Sequence, residues 1–262
     1  MAKPRLCFTL LYADGIFYLS RNFNLQAVGN LDWVMDNYDF ESIARSIDEL
    51  IILNVSQLDE DWEDFCSIVS RLSENCFMPI AAGGGIRGIE QVESLFISGA
   101  DKIILNSALY DAPDLIRQLV AIYGSQSVIC SIDFRRLDGS IKTFKAGGKI
   151  ETEVALTSAI SSAVNLGVGE FYLTSIDKDG TGEGFDMPVL ELAYKACSLP
   201  IIAAGGADTD DRLAEGLHSG FVSAVSTSHL FNFMGDGLKD ARNGLEAEGI
   251  QMSKWNFEEL VI

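Results

Sequence analysis

Short apolar runs alternate with longer amphipathic segments along the chain. Each run has the length and the Val, Ile and Leu content of a buried strand. Eight such runs lie at residues 5–11, 48–55, 78–85, 101–107, 128–133, 169–176, 199–206 and 222–228. Between them, the segments 89–98, 113–123, 154–166 and 187–196 place apolar residues at helical spacing. Strands that alternate with helices in this way predict a parallel sheet covered by helices.

The same pattern occurs twice, with an offset of about 122 residues. The clearest pair is Met78–Gly85 and Leu199–Gly206, because each contains a proline, an apolar run and a terminal glycine cluster. Four strands in each half favour a closed (β/α)8 barrel, a TIM barrel, over an open doubly wound sheet, and no GxGxxG motif follows the first strand. We therefore predict one α/β domain over residues 1–262, with half-barrels at about 1–125 and 126–250 and a C-terminal tail at 251–262.

Glycine clusters end the third strand of each half. Backbone N–H groups at the start of the following helix can approach an anion closely there. The next strand of each half ends in small hydrogen-bonding residues, which would complete one phosphate pocket per half. The predicted phosphate-binding residues at these strand ends are Gly84, Gly85, Asn106, Ser107, Gly205, Gly206 and Ser228. The glycines alone are also compatible with tight turns, but their repetition favours a ligand with two phosphate groups.

Two acidic segments lie at the same predicted end of the barrel. Asp133 ends the fifth strand, where a carboxylate among phosphate sites is a candidate general acid or base. Its counterpart in the first half is Leu11, so the second carboxylate of a proton-transferring pair is missing. Asp179, Gly180 and Thr181 form a polar loop after the sixth strand and are predicted to bind phosphate, although Asp-Gly also makes simple turns.

Charge and cysteine content narrow the function classes. A net charge of −19 opposes binding to a nucleic-acid backbone, so we expect no nucleic-acid partner. No apolar stretch approaches the roughly 20 residues that span a bilayer, and a cytoplasmic protein without membrane contact is expected. The five cysteines are odd in number and lack CxxC spacing, and there are two histidines. These residues predict neither disulfides nor a metal site, and we expect no cofactor.

With these segments in place, the chain from Arg5 to about Gly249 resembles the cyclase subunit of imidazole glycerol phosphate synthase, HisF. The resemblance rests on motifs in both halves, chiefly Gly83–Arg87, Asn106–Ala108, Ser131–Asp133 and Leu173–Thr181. It implies that a HisH-type glutaminase docks at the bottom of the barrel and that ammonia passes through the barrel to the top. There, members of the family react ammonia with a bis-phosphorylated nucleotide and form imidazole glycerol phosphate.

The catalytic positions of that family are partly retained. The second catalytic aspartate of the family corresponds to Asp133, but the first corresponds to Leu11. A family lysine shortly after the first strand corresponds to Leu19, and the aspartate that ends the second strand corresponds to Asn54. Leucine cannot transfer a proton, and loss of one of two proton-transfer groups typically lowers the rate by orders of magnitude. The resemblance therefore argues against cyclase activity in this chain.

The positions of the family's charged gate are all retained. They correspond to Arg5, Glu49, Lys102 and Glu170, and Asp101 corresponds to a family residue that forms a salt bridge with the glutaminase. Charges directed into a barrel end are costly to bury unless they pair with one another. The resemblance implies an ammonia gate at this end, whereas a simpler interpretation is a ring that closes the barrel structurally.

This chain keeps the charged gate but lacks the acid of the first strand. In this combination it is similar to HisF-like proteins of surface-polysaccharide gene clusters, including those for lipopolysaccharide. This similarity implies a barrel that pairs with a HisH-like glutaminase and supplies ammonia to a separate sugar amidotransferase. Two alternatives stay open: an authentic cyclase, a carbon–nitrogen lyase of histidine biosynthesis, and a non-catalytic barrel that binds a phosphorylated small molecule. The last strand is one residue longer than in the family, so either Ser228 or His229 occupies the phosphate-binding serine position.

Overall fold

All eight predicted strands are present, and four further strands form two hairpins. A computed structural model describes residues 3–43, 45–56, 62–74 and 76–254, so the predicted tail beyond residue 254 lies outside the described residues. The strands are β1 (Arg5–Ala13), β2 (Ile16–Arg21), β3 (Asn24–Gly29), β4 (Glu49–Asn54), β5 (Ile80–Gly83), β6 (Lys102–Leu105), β7 (Val128–Leu137), β8 (Ser140–Lys145), β9 (Ile150–Ala155), β10 (Glu170–Ser175), β11 (Ile201–Ala204) and β12 (Ala224–Thr227).

Parallel pairing runs without interruption around the barrel. From β1 it passes through β4, β5, β6, β7, β10, β11 and β12, and β12 returns to β1. At this closing seam Arg5 lies beside Ala224. On β7, Asp133 lies beside Thr174 of β10. Because a closed sheet has no free edge, the pairing confirms the predicted TIM barrel.

Each half of the barrel carries an antiparallel hairpin that the apolar pattern does not predict. In the first half β1 turns back into β2, which pairs with β3, and in the second half β7 turns back into β8, which pairs with β9. The turns are Asp14-Gly15, with φ angles of 49° and 78°, and Asp138-Gly139, with φ angles of 48° and 75°. Such angles belong to two-residue hairpin loops. Both hairpins extend from the first strand of their half, so the two halves match in this respect also.

Helices cover the outside of the barrel. They are α1 (Leu31–Asn37), α2 (Phe40–Ile43), α3 (Trp62–Ser73), α4 (Ile89–Ile97), α5 (Ala108–Asp111), α6 (Pro113–Tyr123), α7 (Leu156–Leu166), α8 (Met187–Ala196), α9 (Asp210–His218) and α10 (Gly237–Ala247). The predictions of α4, α6 and α8 are confirmed. The helix predicted over 154–166 begins later, at Leu156, because the preceding residues belong to β9. Within the described ranges, no helix is both long and apolar enough to cross a bilayer.

Successive side chains along each barrel strand point alternately into two apolar cores. Leu6, Phe8 and Leu10 belong to the core between the barrel and the helices, whereas Cys7 belongs to the barrel interior. Every barrel strand contributes to the interior layer, which consists of Cys7, Ile51, Ala81, Ile104, Ile129, Tyr172, Ile202 and Ala224 with a few neighbours. The centre of the barrel is therefore a packed layer of side chains rather than an open pore.

A buried ion pair joins the last helix to the start of β4. Arg242 on α10 is 6% exposed, and Asp48 is 4% exposed. The Arg242 guanidinium donates to the two carboxylate oxygens of Asp48 at 3.1 and 3.4 Å, and to the Ser46 carbonyl at 3.3 Å. Asp48 also accepts a hydrogen bond from the Leu6 N–H at 2.8 Å. These contacts hold β1, β4 and α10 together at the amino-terminal end of the barrel.

We expect Arg242→Leu to lower the free energy of unfolding by about 3–5 kcal/mol, because the Asp48 carboxylate then stays buried without its cation. Chemical denaturation followed by circular dichroism measures the change. Lys239→Leu on the same helix is the control, since its ion pair with Asp236 is solvent-exposed and is expected to contribute at most about 1 kcal/mol. Equal effects of the two substitutions would contradict a structural role for the buried pair.

Candidate functional site

Four charged side chains close the amino-terminal end of the barrel, and we name them the charged ring: Arg5, Glu49, Lys102 and Glu170. Arg5 Nη1 lies 2.6 Å from Glu49 Oε2, and Arg5 Nη2 contacts Glu170. Lys102 Nζ lies 3.0 Å from Glu49 and 3.2 Å from Glu170. Each cation therefore contacts both anions. The structure brings the predicted set together from four different strands.

The two glutamates of the charged ring are its most buried side chains. The Glu49 side chain is 1% exposed, whereas the Lys102 side chain is 22% exposed. Burial opposes the charge of Lys102, but Glu49 and Glu170 outweigh it and raise the Lys102 pKa. Removing either cation would leave both buried carboxylates with one cation instead of two, which is strongly unfavourable. The ring is thus a mutually dependent unit with two positive and two negative groups.

Above the charged ring, hydroxyl groups follow the apolar layer of the barrel interior. Thr9 Oγ1 lies 3.1 Å from Tyr172 Oη and 2.7 Å from Ser226 Oγ. All three side chains are buried. On β1, Thr9 lies between Cys7 of the apolar layer and Leu11 of the barrel mouth. From the amino-terminal end towards the mouth, the barrel interior therefore contains the charged ring, then the apolar layer and then the buried hydroxyl groups.

Asp133 lies at the barrel mouth and is 8% exposed. Asn106 Nδ2 donates a hydrogen bond to Asp133 Oδ2 at 3.2 Å. Burial, and secondarily the nearby carboxylate of Asp179, raise the pKa of Asp133 to about 7. A carboxyl group with a pKa near neutrality can both donate and accept a proton at physiological pH. The surroundings suit the predicted acid/base role, which stays a prediction.

The corresponding place on β1 is apolar. Leu11 lies beside Leu53 of β4 and pairs across the first hairpin with Tyr18. Leu19 lines a small cavity together with Asp179 and Gly205. Asn54 Oδ1 accepts a hydrogen bond from a backbone N–H two residues further on, at 2.9 Å. These three positions contribute two leucines and an amide, none of which exchanges protons with a substrate.

We name the predicted phosphate residues of the first half the first cradle: Gly84, Gly85, Asn106 and Ser107. A side chain at Gly84, whose φ is 97°, would collide with the Asn54 carbonyl oxygen, so this glycine is required by packing alone. The Asn106 amide is engaged by Asp133. Ser107 Oγ accepts a hydrogen bond from the Ala146 N–H at 3.2 Å. The residues lie together as predicted, but their side chains contact other parts of the chain.

A small cavity lies at the equivalent place in the second half. Five of the predicted phosphate-binding residues line it: Asp179, Gly180, Gly205, Gly206 and Ser228. His229 lines the same cavity, and we name Gly205, Gly206, Ser228 and His229 the second cradle. Thr181 instead turns back on its own loop, where its hydroxyl donates to the Lys178 carbonyl at 2.8 Å. The structure thus groups half of the predicted phosphate-binding residues around one cavity, and phosphate binding there stays a prediction.

The turn between β2 and β3 of the first hairpin docks onto the loop that follows β10. Ser20 Oγ donates to Asp179 Oδ2 at 2.5 Å, and the Phe23 N–H donates to the same oxygen at 3.0 Å. The Asn22 N–H donates to the Asp179 carbonyl at 2.9 Å. A side chain at Gly180 would collide with the Ser20 carbonyl oxygen. The Asp179 carboxylate therefore holds the hairpin over the mouth, a role that sequence reasoning misses because it does not predict the hairpin.

Asp101 lies at the opposite end of the barrel, next to the charged ring. The residue is exposed and immediately precedes Lys102. Its Oδ2 accepts a hydrogen bond from the Ile80 N–H at 2.9 Å, so its position is fixed by the start of β5. The predicted contact of Asp101 with a glutaminase stays a prediction.

These observations define a class of protein: a (β/α)8 barrel with a charged ring at one end, and candidate anion cradles with a candidate acid/base residue at the other. A family model described as histidine biosynthesis protein matches residues 37–234. A protein of Parasynechococcus marenigrum, provisionally named imidazole glycerol phosphate synthase subunit hisF2, is 43% identical over 256 residues, which cover 97% of this chain and 95% of that protein.

Two further relatives are imidazole glycerol phosphate synthase subunits HisF, from Streptococcus sanguinis and Streptococcus gordonii. Each is 32% identical over 255 residues, which cover 96% of this chain and 99% of the relative. The chain therefore belongs to the histidine biosynthesis protein family and, within it, to the HisF cyclase-subunit group. The family resemblance inferred from the motifs is confirmed.

We expect Asp133→Asn to change how the free energy of unfolding depends on pH. The pKa of Asp133 in the folded protein is about 7, whereas that of an unfolded aspartate is about 3.9. Between these values the folded state holds a proton that the unfolded state has lost. Wild-type stability therefore falls by about 1.4 kcal/mol per pH unit as the pH rises through this window. The variant lacks this loss, so it gains stability relative to wild type between pH 5 and 7, as urea denaturation measures.

Asp138→Asn is the matched control for this experiment. Asp138 lies in the exposed turn of the second hairpin with a φ of 48°, a conformation that asparagine also tolerates. We expect its pH dependence to equal that of the wild type. An Asp133→Asn variant that follows the wild-type curve at every pH would show that the Asp133 pKa is not raised.

Proposed function

We propose that this HisF-family barrel binds a HisH-type glutaminase at its amino-terminal end and conducts ammonia for use by a separate acceptor enzyme. One combination of features carries the proposal: the charged ring is complete, whereas Leu11 occupies the place of the first catalytic acid. We infer that the acceptor is a sugar amidotransferase of surface-polysaccharide synthesis, as the resemblance to HisF-like proteins of such gene clusters implies.

The energetics of the charged ring support a role beyond closing the barrel. Apolar side chains of similar volume would seal the barrel end at equal or lower cost, because buried ion pairs rarely repay their desolvation. The two cations are the outer members, at 21% and 22% side-chain exposure, and the two glutamates are the inner ones, at 1% and 9%. A docking partner can therefore compete for the cations and open a path while the strands stay in place.

Exposed apolar side chains at the same end support a docking surface. Phe77, Ile97 and Ile122 are 75%, 87% and 57% exposed. Phe77 precedes β5, and the other two lie at or next to the ends of α4 and α6, so all three belong to the end that carries the charged ring. The rings of Phe96 and Tyr123, 4.7 Å apart, join these two helix ends. Exposed apolar groups beside charged ones are typical of protein interfaces.

An authentic cyclase is the second candidate function, and one observation favours it. The pKa of Asp133 near 7 would let a single residue donate and accept protons in turn. In that case Asp133 would act without the partner acid that Leu11 replaces. The two candidate functions differ in one product. A cyclase forms imidazole glycerol phosphate at the mouth of its barrel, whereas an ammonia-supplying subunit does not.

The deciding experiment mixes the purified chain with a HisH-type glutaminase and follows glutamine hydrolysis with and without the bis-phosphorylated cyclase substrate. We expect a complex at micromolar concentration, faster glutamine hydrolysis and no imidazole glycerol phosphate. Formation of that product would establish the cyclase instead. Absence of any complex would remove the glutaminase partner. Turnover of the substrate with ammonium salts alone would then establish the cyclase, and its absence would leave a barrel that binds a phosphorylated small molecule without chemistry.

We expect Ile97→Asp to weaken glutaminase binding at least about tenfold, because a charge at the centre of an apolar contact is desolvated without a partner. Isothermal titration calorimetry measures the affinity. Ile150→Asp is the matched control, since Ile150 is an isoleucine of 48% exposure that begins β9 in the second hairpin, away from the charged ring. Equal affinities of the two variants would place the glutaminase elsewhere on the surface.

A further inference from the structure

The outer strand of the first hairpin has a free edge. β3 pairs with β2 on one side and with no described strand on the other. Arg21 and Asn24 face each other across the two-residue turn, where paired residues exchange the hydrogen bonds that close a hairpin. Alternation then directs the backbone N–H and C=O groups of Leu25 and Ala27 outward. Such a row of donors and acceptors is recognised by another extended chain, which adds to the sheet as a strand.

This edge lacks the features that usually block strand addition. Charged side chains, prolines and bulges protect the sheet edges of natural proteins. Residues 24–29 contain neither a charged residue nor a proline. The register shift of this hairpin comes after Ala27, at the end away from the turn. Residues 24–27 are all exposed, so the edge offers a regular stretch of four residues to a partner.

The corresponding edge in the second half is protected. β9 is the outer strand of the second hairpin. It carries Glu151 and Glu153, and Lys142 of β8 lies 2.9 Å from the Glu151 carboxylate. The register with β8 shifts within the strand, and Glu153 has a φ of 59°. Charges and a bulge both oppose the addition of a further strand. The open edge is therefore specific to the first hairpin.

Acidic side chains lie next to the open edge. α1 follows β3 after one residue and packs against it, and it exposes Asp32 and Asp36, one helical turn apart. Arg71 lies 3.7 Å from Asp32, whereas Asp36 has no ion pair in the described part of the chain. The whole chain has a net charge of −19. A second copy would bring the same negative charge to the edge, whereas a basic segment is attracted to it.

Apolar side chains flank the same strand. Leu25 is 42% exposed on β3 itself. At the end of β3, Gly29 lies against the Trp33 ring, because a side chain at this glycine would collide with it. The Trp33 ring lies 5.9 Å from the ring of Phe231, which is 52% exposed. An added strand would therefore find apolar contacts for some of its side chains in addition to the backbone hydrogen bonds.

We propose that β3 is a docking edge for the acceptor enzyme, which adds an extended, basic segment to it as a further strand. The inference rests on the proposed function, because ammonia released into water is diluted and protonated unless its consumer covers the mouth. Asp179 holds the first hairpin over the mouth, so a partner on β3 lies beside that exit. The proposed glutaminase surface is at the opposite end, and both partners can bind at once.

The test follows the amides of the ¹⁵N-labelled full chain by NMR. The probe is the peptide acetyl-Lys-Thr-Val-Thr-Val-Thr-Lys-amide, and its control has glutamate in place of both lysines. In the free chain, we expect the outward amides of Leu25 and Ala27 to exchange with solvent faster than the inward amide of Gln26. The basic peptide shifts both outward amides saturably and slows their exchange at least about tenfold. The glutamate peptide binds at least about tenfold more weakly, and the amides of β9 do not change.

Substitutions at position 27 separate strand addition from a general surface effect. Ala27→Pro removes an outward N–H, and proline is tolerated on edge strands, so we expect peptide binding to be lost. Ala27→Lys repels the basic peptide and weakens its binding at least about tenfold. Ala27→Thr keeps the N–H and favours the strand, so it binds as the wild type does. Stimulation of a HisH-type glutaminase is measured on every variant and shows that each barrel is folded.

The outcomes distinguish this inference from the proposed function. Normal glutaminase stimulation without peptide binding overturns the docking edge alone. Peptide binding without stimulation overturns the proposed function, and with it the acceptor enzyme as the occupant of the edge. Equal binding of the two peptides, or wild-type binding by Ala27→Pro, also overturns the inference. Protection of the outward amides that rises with the concentration of the chain alone would assign the edge to a second copy instead.

Discussion

Pairing of the last strand with the first is the constraint on which both ends of the molecule depend. The seam sets Ala224 beside Arg5, and in a closed barrel the staggers of all neighbouring strand pairs must add up to one fixed shear, so the seam constrains the heights of the other strands. At one end, these heights bring four charges from four strands within contact of one another. A slip of β12 by one residue would turn Ser226 away from Thr9 and place Val225 or Thr227 opposite Thr9 instead.

The two ends of the barrel differ in how they treat buried charge: ionised groups are paired at the charged ring, and one carboxyl group at the mouth is paired with no cation among the described residues. In the charged ring each ionised group has two partners, so burial is tolerated. At the mouth, Asp133 is buried with an amide neighbour rather than a cation, so its charge is suppressed. At the amino-terminal end the four charges stabilise one another. At the mouth the raised pKa of Asp133 suits the predicted proton transfer. Because Leu11 stands at the counterpart of Asp133 in the first half, the mouth lacks the second acid of a catalytic pair.

Much of the fold follows from the sequence because the barrel strands are buried on both faces and therefore form nearly continuous apolar runs. β3 and β9 are largely exposed and give no such run. Their turns nevertheless carry a local signal, since Asp14-Gly15 and Asp138-Gly139 both have the composition of two-residue hairpin loops. The two dipeptides lie 124 residues apart, close to the offset of the repeat, and recognising this similarity would have predicted both hairpins.

The candidate site is predictable to the extent that it lies on barrel strands. The charged ring residues are identified through the family resemblance, and because each of them starts its strand, the predicted strands place all four at one end of the barrel. Asp179 and Asn106 differ, because their hydrogen bonds go to groups brought by the hairpins or by neighbouring strands. The position of His229 depends on pairing register, which a one-residue difference in strand length makes ambiguous in the sequence.

The Asp48–Arg242 pair also has a consequence for synthesis of the protein. Its members are 194 residues apart in the chain. At the usual elongation rate, about 10–40 s separate the appearance of the two residues on the ribosome. During that interval β1 lacks β12, and the sheet of the nascent chain has an open edge that is able to pair with other chains. The first half of this barrel must therefore be protected or stay loosely folded in the cell until the last helix emerges.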